Sequence, residues 1–378
     1  MNKIGVHFGP HIPVNDLGIL NIINRVYQGK PGVALVMEGS DWIANAMPSG
    51  SITIQRINHL FEHISLTHTA EGDEMTEQDC YDFGYYMAGV TMAMYPNCQA
   101  THFMGICEPQ FDSIMDGRKL GAFGAGLADG FIPLGYGYCA FNISMGKGES
   151  RSTPSSRPVV EAYFQSLNQW SSKLNLHNDI PTQKLICGYH MYDDGVEGLD
   201  YLEHRPWAFW QQDLENIGIV MPKIVGTEAG MDPPDMDKLL SYIRRFGSFN
   251  PDALGCCIYG IRMGEKWTRF DYEGNEQVIQ AMENANKEGG EMLDSTMDFK
   301  TKMDSLWQRA QQRIWTAPMF YKMWVRHRDV LGEKIGGEFD AHGYRFQECE
   351  FGYIYALIND WANTYVALDR KSMPGPLV

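Results

Sequence analysis

The chain has 378 residues and a net charge of −16, from 31 Lys and Arg against 47 Asp and Glu. That balance repels a nucleic-acid backbone and an anionic membrane surface, so neither is an expected partner and a neutral or basic substrate fits better. Hydrophobic residues make up 44% and aromatics 12% of the chain, enough for a large core, and no run of about 18 apolar residues is present to span a membrane.

The opening stretch Met1 to Phe8 has no charged leader ahead of an apolar segment, so the chain is expected to be cytoplasmic or released without a signal peptide. Its eight Cys occur singly in apolar segments, apart from the adjacent Cys256 and Cys257. None has C-x-x-C spacing, and they read as reduced core residues.

In chain order, Ile4 to Phe8 alternates as a first strand and breaks at Gly9-Pro10-His11. Leu17 to Tyr27 has a helical pattern, and Pro31-Gly32 announces a second strand, Val33 to Met37, whose end carries Glu38, Asp41 and Trp42. A third strand runs from Ser51 to Arg56. A Thr76-x-x-Asp79 cap opens an amphipathic helix that reaches Tyr95 and stops at Pro96. Strand four is His102 to Cys107. Gly117 to Gly130 is rich in Gly and Ala and predicts a close-packed helix, not a phosphate cradle; Phe131 to Ser144 contains strand five. Met145 to Pro158 is a long loop, expected over the active face. A helix at Val159 to Leu174, strand six at Leu185 to His190, an aromatic loop at Tyr192 to Trp210, strand seven at Lys223 to Thr227 and strand eight at Leu254 to Ile261 complete the alternation.

Eight strands, each followed by helical or loop material, demand a parallel sheet, and closure removes its exposed edges. The expected fold is therefore α/β, a (β/α)8 TIM barrel over residues 1–285. Residues 286–378 predict a helical C-terminal extension, with helices at Leu293 to Arg328 and Phe351 to Leu368 around a Gly-rich break. Such helices would pack on the barrel or mediate homo-oligomer contact.

Two apolar runs end in a glutamate followed closely by a turn former: Phe103-Met104-Gly105-Ile106-Cys107-Glu108-Pro109 and Lys223-Ile224-Val225-Gly226-Thr227-Glu228-Ala229-Gly230. A buried parallel strand delivers an acid to a barrel rim in this way. Glycosidic cleavage needs one carboxyl to protonate the leaving oxygen and a second, ionised, to attack the anomeric carbon, about 5–5.5 Å apart for retention. Burial and the neighbouring charge of Glu228 would favour a protonated Glu108. Arg56, at the end of strand three, is placed to keep Glu228 ionised through a charge-assisted hydrogen bond.

These strand ends, with Tyr189-His190-x-Tyr192 closing strand six, resemble the glycoside hydrolase (β/α)8 superfamily of retaining enzymes whose acids stand on strands four and seven. The resemblance implies that Glu108 is the general acid/base and Glu228 the nucleophile, acting on a carbohydrate. It departs at Cys107, where that superfamily commonly has an Asn for the substrate 2-hydroxyl; a thiol is a poor donor. Strand eight offers Tyr259, or the later Trp267, where a Trp often floors the sugar subsite.

Other expected contacts are His190 and Tyr192 to nucleophile and sugar, with Trp42, Trp207 and Trp210 as candidate sugar platforms. His7, His11, Glu38 and Asp41 raise a metal reading, but His7-x-x-x-His11 straddles Gly9-Pro10 and not a helix that would align both rings. No metal and no other cofactor is expected, and nucleotide and serine-hydrolase motifs are absent. The competing function is a catalytically inactive barrel acting as a glycan-binding or structural module.

Overall fold

A computed structural model describes residues 1–61, 64–69, 73–109, 113–144, 157–177, 184–193, 207–231, 236–237, 239–240, 242–243, 253–263, 271–288, 334–341, 344–349, 352–357 and 364–367. The chain divides into two compact units, Met1–Leu293 and Asp294–Val378.

The first unit contains a closed barrel of parallel strands: β1 (Ile4–Phe8), β2 (Val33–Met37), β3 (Ile52–Arg56), β4 (His102–Met104), β5 (Gly137–Ser144), β6 (Leu185–Asp193), β7 (Ile224–Met231) and β8 (Gly255–Ile261), in sequential order with β8 pairing back onto β1. Strands covered on both faces read as continuous apolar runs, and β1, β2 and β8 are buried along their whole length. Alternate residues split into two cores. Val33, Leu35, Ile54, Met104, Cys139, Ile186, Val225 and Cys257 fill the barrel interior. Ala34, Val36, Phe103, Ala140, Cys187, Ile224 and Cys256 join the outer core.

The helices of this unit are α1 (Leu17–Tyr27), the short α2 (Ile43–Ala46) and α3 (Asn58–Phe61), α4 (Glu77–Met94), α5 (Ile114–Phe131), α6 (Arg157–Trp170), α7 (Trp207–Asn216) and α8 (Glu276–Glu288). Capping explains where the long ones begin. The Asp16 side chain accepts from two backbone N–H groups at the start of α1, and Thr76/Asp79 and Ser113/Asp116 form reciprocal capping boxes on α4 and α5. The Gly-rich α5 packs closely, as expected: a Cβ at Gly126 would run into the Tyr81 carbonyl on α4, and one at Gly121 into the Tyr163 carbonyl on α6. Asp129, buried on the same helix, accepts from Tyr81, Ser171, Ser172 and Lys173 and ties α5 to the segment after α6.

Two expectations are corrected. The aromatic segment before Trp210 gives way at Trp207 to helix α7. The segment Phe351 to Leu368 is not helical: the described residues of the second unit form an antiparallel sheet of β9 (Lys334–Ala341), β10 (Tyr344–Cys349), β11 (Gly352–Leu357) and β12 (Thr364–Ala367), ordered β12-β11-β10-β9. Among the side chains described on β11, Ile354 and Ala356 are buried and Tyr355 between them is half-buried, a period of two that an amphipathic helix does not have. The expected helix at 293–328, with the oligomer contact assigned to it, the loop at 145–156 and Trp267 lie outside the described residues. No described helix is long and apolar enough to cross a membrane.

Candidate active site

The C-terminal ends of the strands carry the site, and local departures from regular strand pairing aim its side chains. On β7, Val225 faces the barrel interior, so strict alternation would turn Glu228 outward. Pairing instead slips by one residue between Gly226 and Ala229 against β8, and correspondingly between Tyr189 and His190 on the β6 side. The extra residue is a bulge, which re-aims the strand end. It returns Glu228 to the inside and leaves Ala229 in the outer core. A second slip lies between Phe141 and Ile143 of β5. There the Asn142 carbonyl accepts from the N–H of Glu108 at 3.1 Å. Glu108 itself has φ 48°, a left-handed conformation that is uncommon for a residue with a side chain and concentrates at functional sites.

His190 joins the two acids. Its Nδ1 lies 3.0 Å from Glu108 Oε1 and 3.7 Å from Glu228 Oε2, and its Nε2 is 3.8 Å from Cys107 Sγ. Arg56 Nη1 donates to Glu228 Oε1. The Glu108 side chain keeps 32% of its surface exposed, whereas that of Glu228 keeps 6% and that of His190 none. Burial alone would strip the proton from His190. The Glu228 carboxylate, then Cys107 and the Glu108 hydrogen bond, outweigh it and raise the His190 pKa to about 10. The charged form of the ring is thus favoured, with Glu108 and Glu228 on its Nδ1 side and Cys107 on its Nε2 side.

His7 on β1 is the neutral counterpart. Burial, opposed by Glu228 and reinforced by Arg56 and His190, pushes its pKa down to about 3. Both ring nitrogens are buried and lack a hydrogen-bond partner among the described residues. Its ring meets Tyr259 edge-on at 4.7 Å.

Arg56, Glu108, His190 and Glu228 thus come together. Tyr259 is almost wholly buried, against Met37 and Met263. Trp42 donates its indole N–H to the Ile12 carbonyl at 2.9 Å and packs on the outer core. Trp210 is buried between Phe141 and Tyr189 and so is packing, not an open sugar platform. Tyr192 lies near the end of β6; its side chain and that of Trp207 lie outside the described residues. Of the metal reading, His11 and Glu38 meet only through their backbones, and the Glu38 carboxylate pairs with His59 at 2.7 Å. Among the described residues the group able to hold a cation is a different one, Cys107, His190 and Glu228, whose ligand atoms all lie within 4.8 Å of one another. In the sequence, His7 stood out only as a candidate metal ligand, not as a buried neutral neighbour of the acids. Its signal was the polar residue at an inward-alternating position of the run Ile4 to Phe8.

No protein-family model and no curated protein matches the sequence. Solved structures are similar to the chain at low identity. An endo-β-mannanase/endo-β-glucanase from Prevotella bryantii is 12% identical with a TM-score of 0.44, over 75% of this chain and 48% of the other, so the chain spans about half of its length. A family 39 glycoside hydrolase from Bacteroides cellulosilyticus is 9% identical with a TM-score of 0.49, over 94% and 71%. A glucosidase from Croceicoccus marinus is 8% identical with a TM-score of 0.47, over 76% and 68%. At these identities and TM-scores the likenesses add nothing to the barrel described above.

Proposed function

We propose that the chain is a retaining glycoside hydrolase in which Glu228 attacks the anomeric carbon and Glu108 is the general acid/base. The observation that carries this reading is that both carboxylates reach one atom, His190 Nδ1, at 3.0 and 3.7 Å. The sum of those distances is a ceiling on the separation of the two oxygens. That ceiling admits the ~5–5.5 Å of a retaining pair, which supports the retaining reading.

In the first step the Glu228 carboxylate forms a bond to the anomeric carbon while the glycosidic bond breaks and Glu108 gives its proton to the leaving oxygen. In the second, Glu108 takes a proton from water, which displaces Glu228 from the sugar. Arg56 keeps Glu228 ionised for attack. His190 hydrogen-bonds Glu108, so the proton that leaves is held by the pair and not by an isolated carboxyl. The exposure of Glu108 and burial of Glu228 suit these roles, since the acid must meet the departing group and the nucleophile only the sugar.

Glu108→Gln and Glu228→Ala should each lower turnover on a panel of neutral and amino-sugar oligosaccharides by at least ~10³-fold, with folding preserved by circular dichroism. Early product examined by NMR should retain the anomeric configuration of the substrate. Unchanged turnover in either variant sinks the assignment, and an inverted product sinks the nucleophile. Cys107, a poor donor where a sugar hydroxyl would be bound, favours a second reading as a glycan-binding barrel; oligosaccharide binding without any cleavage across the panel would decide for it.

A further inference from the structure

Cys107 contributes little to a sugar site, yet its sulfur stands beside His190 and within reach of Glu228. We propose that Cys107 Sγ, His190 Nε2 and the Glu228 carboxylate bind one soft divalent cation of the zinc class, and that the bound ion closes the hydrolytic site. The second half rests on the glycosidase reading; the first does not.

Thiolate, imidazole and carboxylate are the ligand types zinc takes, and three protein ligands leave the fourth position of a tetrahedral ion open. One ring nitrogen of His190, the Cys107 sulfur and a Glu228 oxygen lie within 4.8 Å of one another, and the Cys107–Nε2 pair is already close to the required spacing. A tetrahedral ion with Zn–S of ~2.3 Å and Zn–N of ~2.0–2.1 Å sets those two atoms about 3.6 Å apart; Cys107 Sγ and His190 Nε2 are 3.8 Å apart. The far side of the ring supplies a second, independent feature. A ligating histidine ordinarily hands its other ring N–H to a carboxylate, which fixes its orientation and raises its basicity. His190 Nδ1 meets Glu108 Oε1 at 3.0 Å, leaving Nε2 turned to the sulfur.

Glu228 is the ligand that has to move. Its Oε1 is engaged by Arg56, while Oε2 lies on the His190 side, 3.7 Å from Nδ1. A side-chain rotation that brings this carboxylate onto the ion takes it out of line for attack on a sugar. Binding releases the thiol proton of Cys107 and the Nε2 proton of His190 to solvent. The thiolate and the Glu228 carboxylate together neutralise the ion, and Glu228 is shared between it and Arg56.

The test uses the full chain, freed of metal by chelator dialysis and titrated with Co²⁺. One ion per chain is expected, with a near-ultraviolet sulfur-to-cobalt charge-transfer band that Zn²⁺ removes by displacement. Cys107→Ser should lose that band and bind Zn²⁺ at least ~100-fold more weakly against a chromophoric chelator, and Glu108→Gln should weaken it ~10–100-fold through the ring it orients. Glu228→Gln serves as a second ligand variant should Cys107→Ser fail to fold, and should weaken binding while keeping the sulfur band. Absence of the band in the wild type, or equal affinity in the ligand variants, overturns the site. Zn²⁺ should also suppress any glycan turnover of the wild type and leave residual turnover of Cys107→Ser untouched; turnover that rises with Zn²⁺ overturns the closing role. The binding arm needs no sugar, so a chain that takes the ion but cleaves no glycan in its absence refutes the glycosidase and keeps the site.

Discussion

His7 places an uncharged imidazole, both nitrogens buried and without a partner among the described residues, under the mouth of the barrel. A buried polar group left in that state is costly, and it makes stability depend on acid in a calculable direction. The folded ring has a pKa of about 3, against ~6.5 in the unfolded chain. Between those values the unfolded chain binds a proton that the folded one refuses. Stability therefore falls as pH falls from about 6.5 towards 3, by up to ~1.4 kcal/mol per pH unit from this residue alone. His7→Phe keeps a ring against Tyr259 and removes the titration. Urea midpoints between pH 7 and 4 should show a shallower acid-side loss for the variant, and a difference curve that is flat with pH would show that His7 is not the group responsible.

Bulges, more than regular strands, decide where the site's side chains point. Gly188 on β6 sits between two of them: a Cβ there would collide with Asn142 Oδ1 on β5 and press on Thr227 Cγ2 on β7. Gly188→Ala must displace one bulge or the other, and should destabilise the fold by ~1–3 kcal/mol while lowering turnover, because Glu108 hydrogen-bonds to Asn142 and Glu228 follows Thr227. Gly89 on α4, whose Cβ would meet nothing within 4 Å, is the control; Gly89→Ala should stabilise by ~0.5–1 kcal/mol. Urea denaturation compares them, and a Gly188→Ala variant as stable as wild type would remove the packing argument. The same bulges mark what could be read from the chain. Alternation marked β1, continuous apolar runs marked β2 and β8, and the strand ends placed Glu108 and Glu228 at the rim. The turn of Glu228 to the inside could not be read, because a bulge breaks the period on which inward and outward are assigned. The aromatic-rich segment after Phe351 misled for a related reason: its apolar residues are dense enough to fit either period, and the pairing of β11 with β10 and β12, with Ile354 and Ala356 buried, shows the strand.

At the scale of the whole molecule, the net charge of −16 acts on encounter and not on chemistry. The cations at the mouth, Arg56 and His190, are held by Glu228 and Glu108, so they do little to reverse the field that an approaching ligand meets. Such a field raises the arrival rate of cations and is screened beyond ~10 Å at 0.1 M salt. On the glycosidase reading, kcat/KM for an amino-sugar oligosaccharide should therefore fall several-fold between about 10 mM and 500 mM salt, while that for its neutral N-acetylated counterpart stays level. kcat itself should not change with salt for either substrate, since Glu108, Glu228 and His190 interact over 3.0 to 3.7 Å in a largely buried cluster, well inside any screening length. Steady-state rates at four or five ionic strengths separate the two parameters. A salt-dependent kcat, or parallel behaviour of the charged and neutral substrates, would remove long-range steering and return the discrimination to contacts within the barrel mouth.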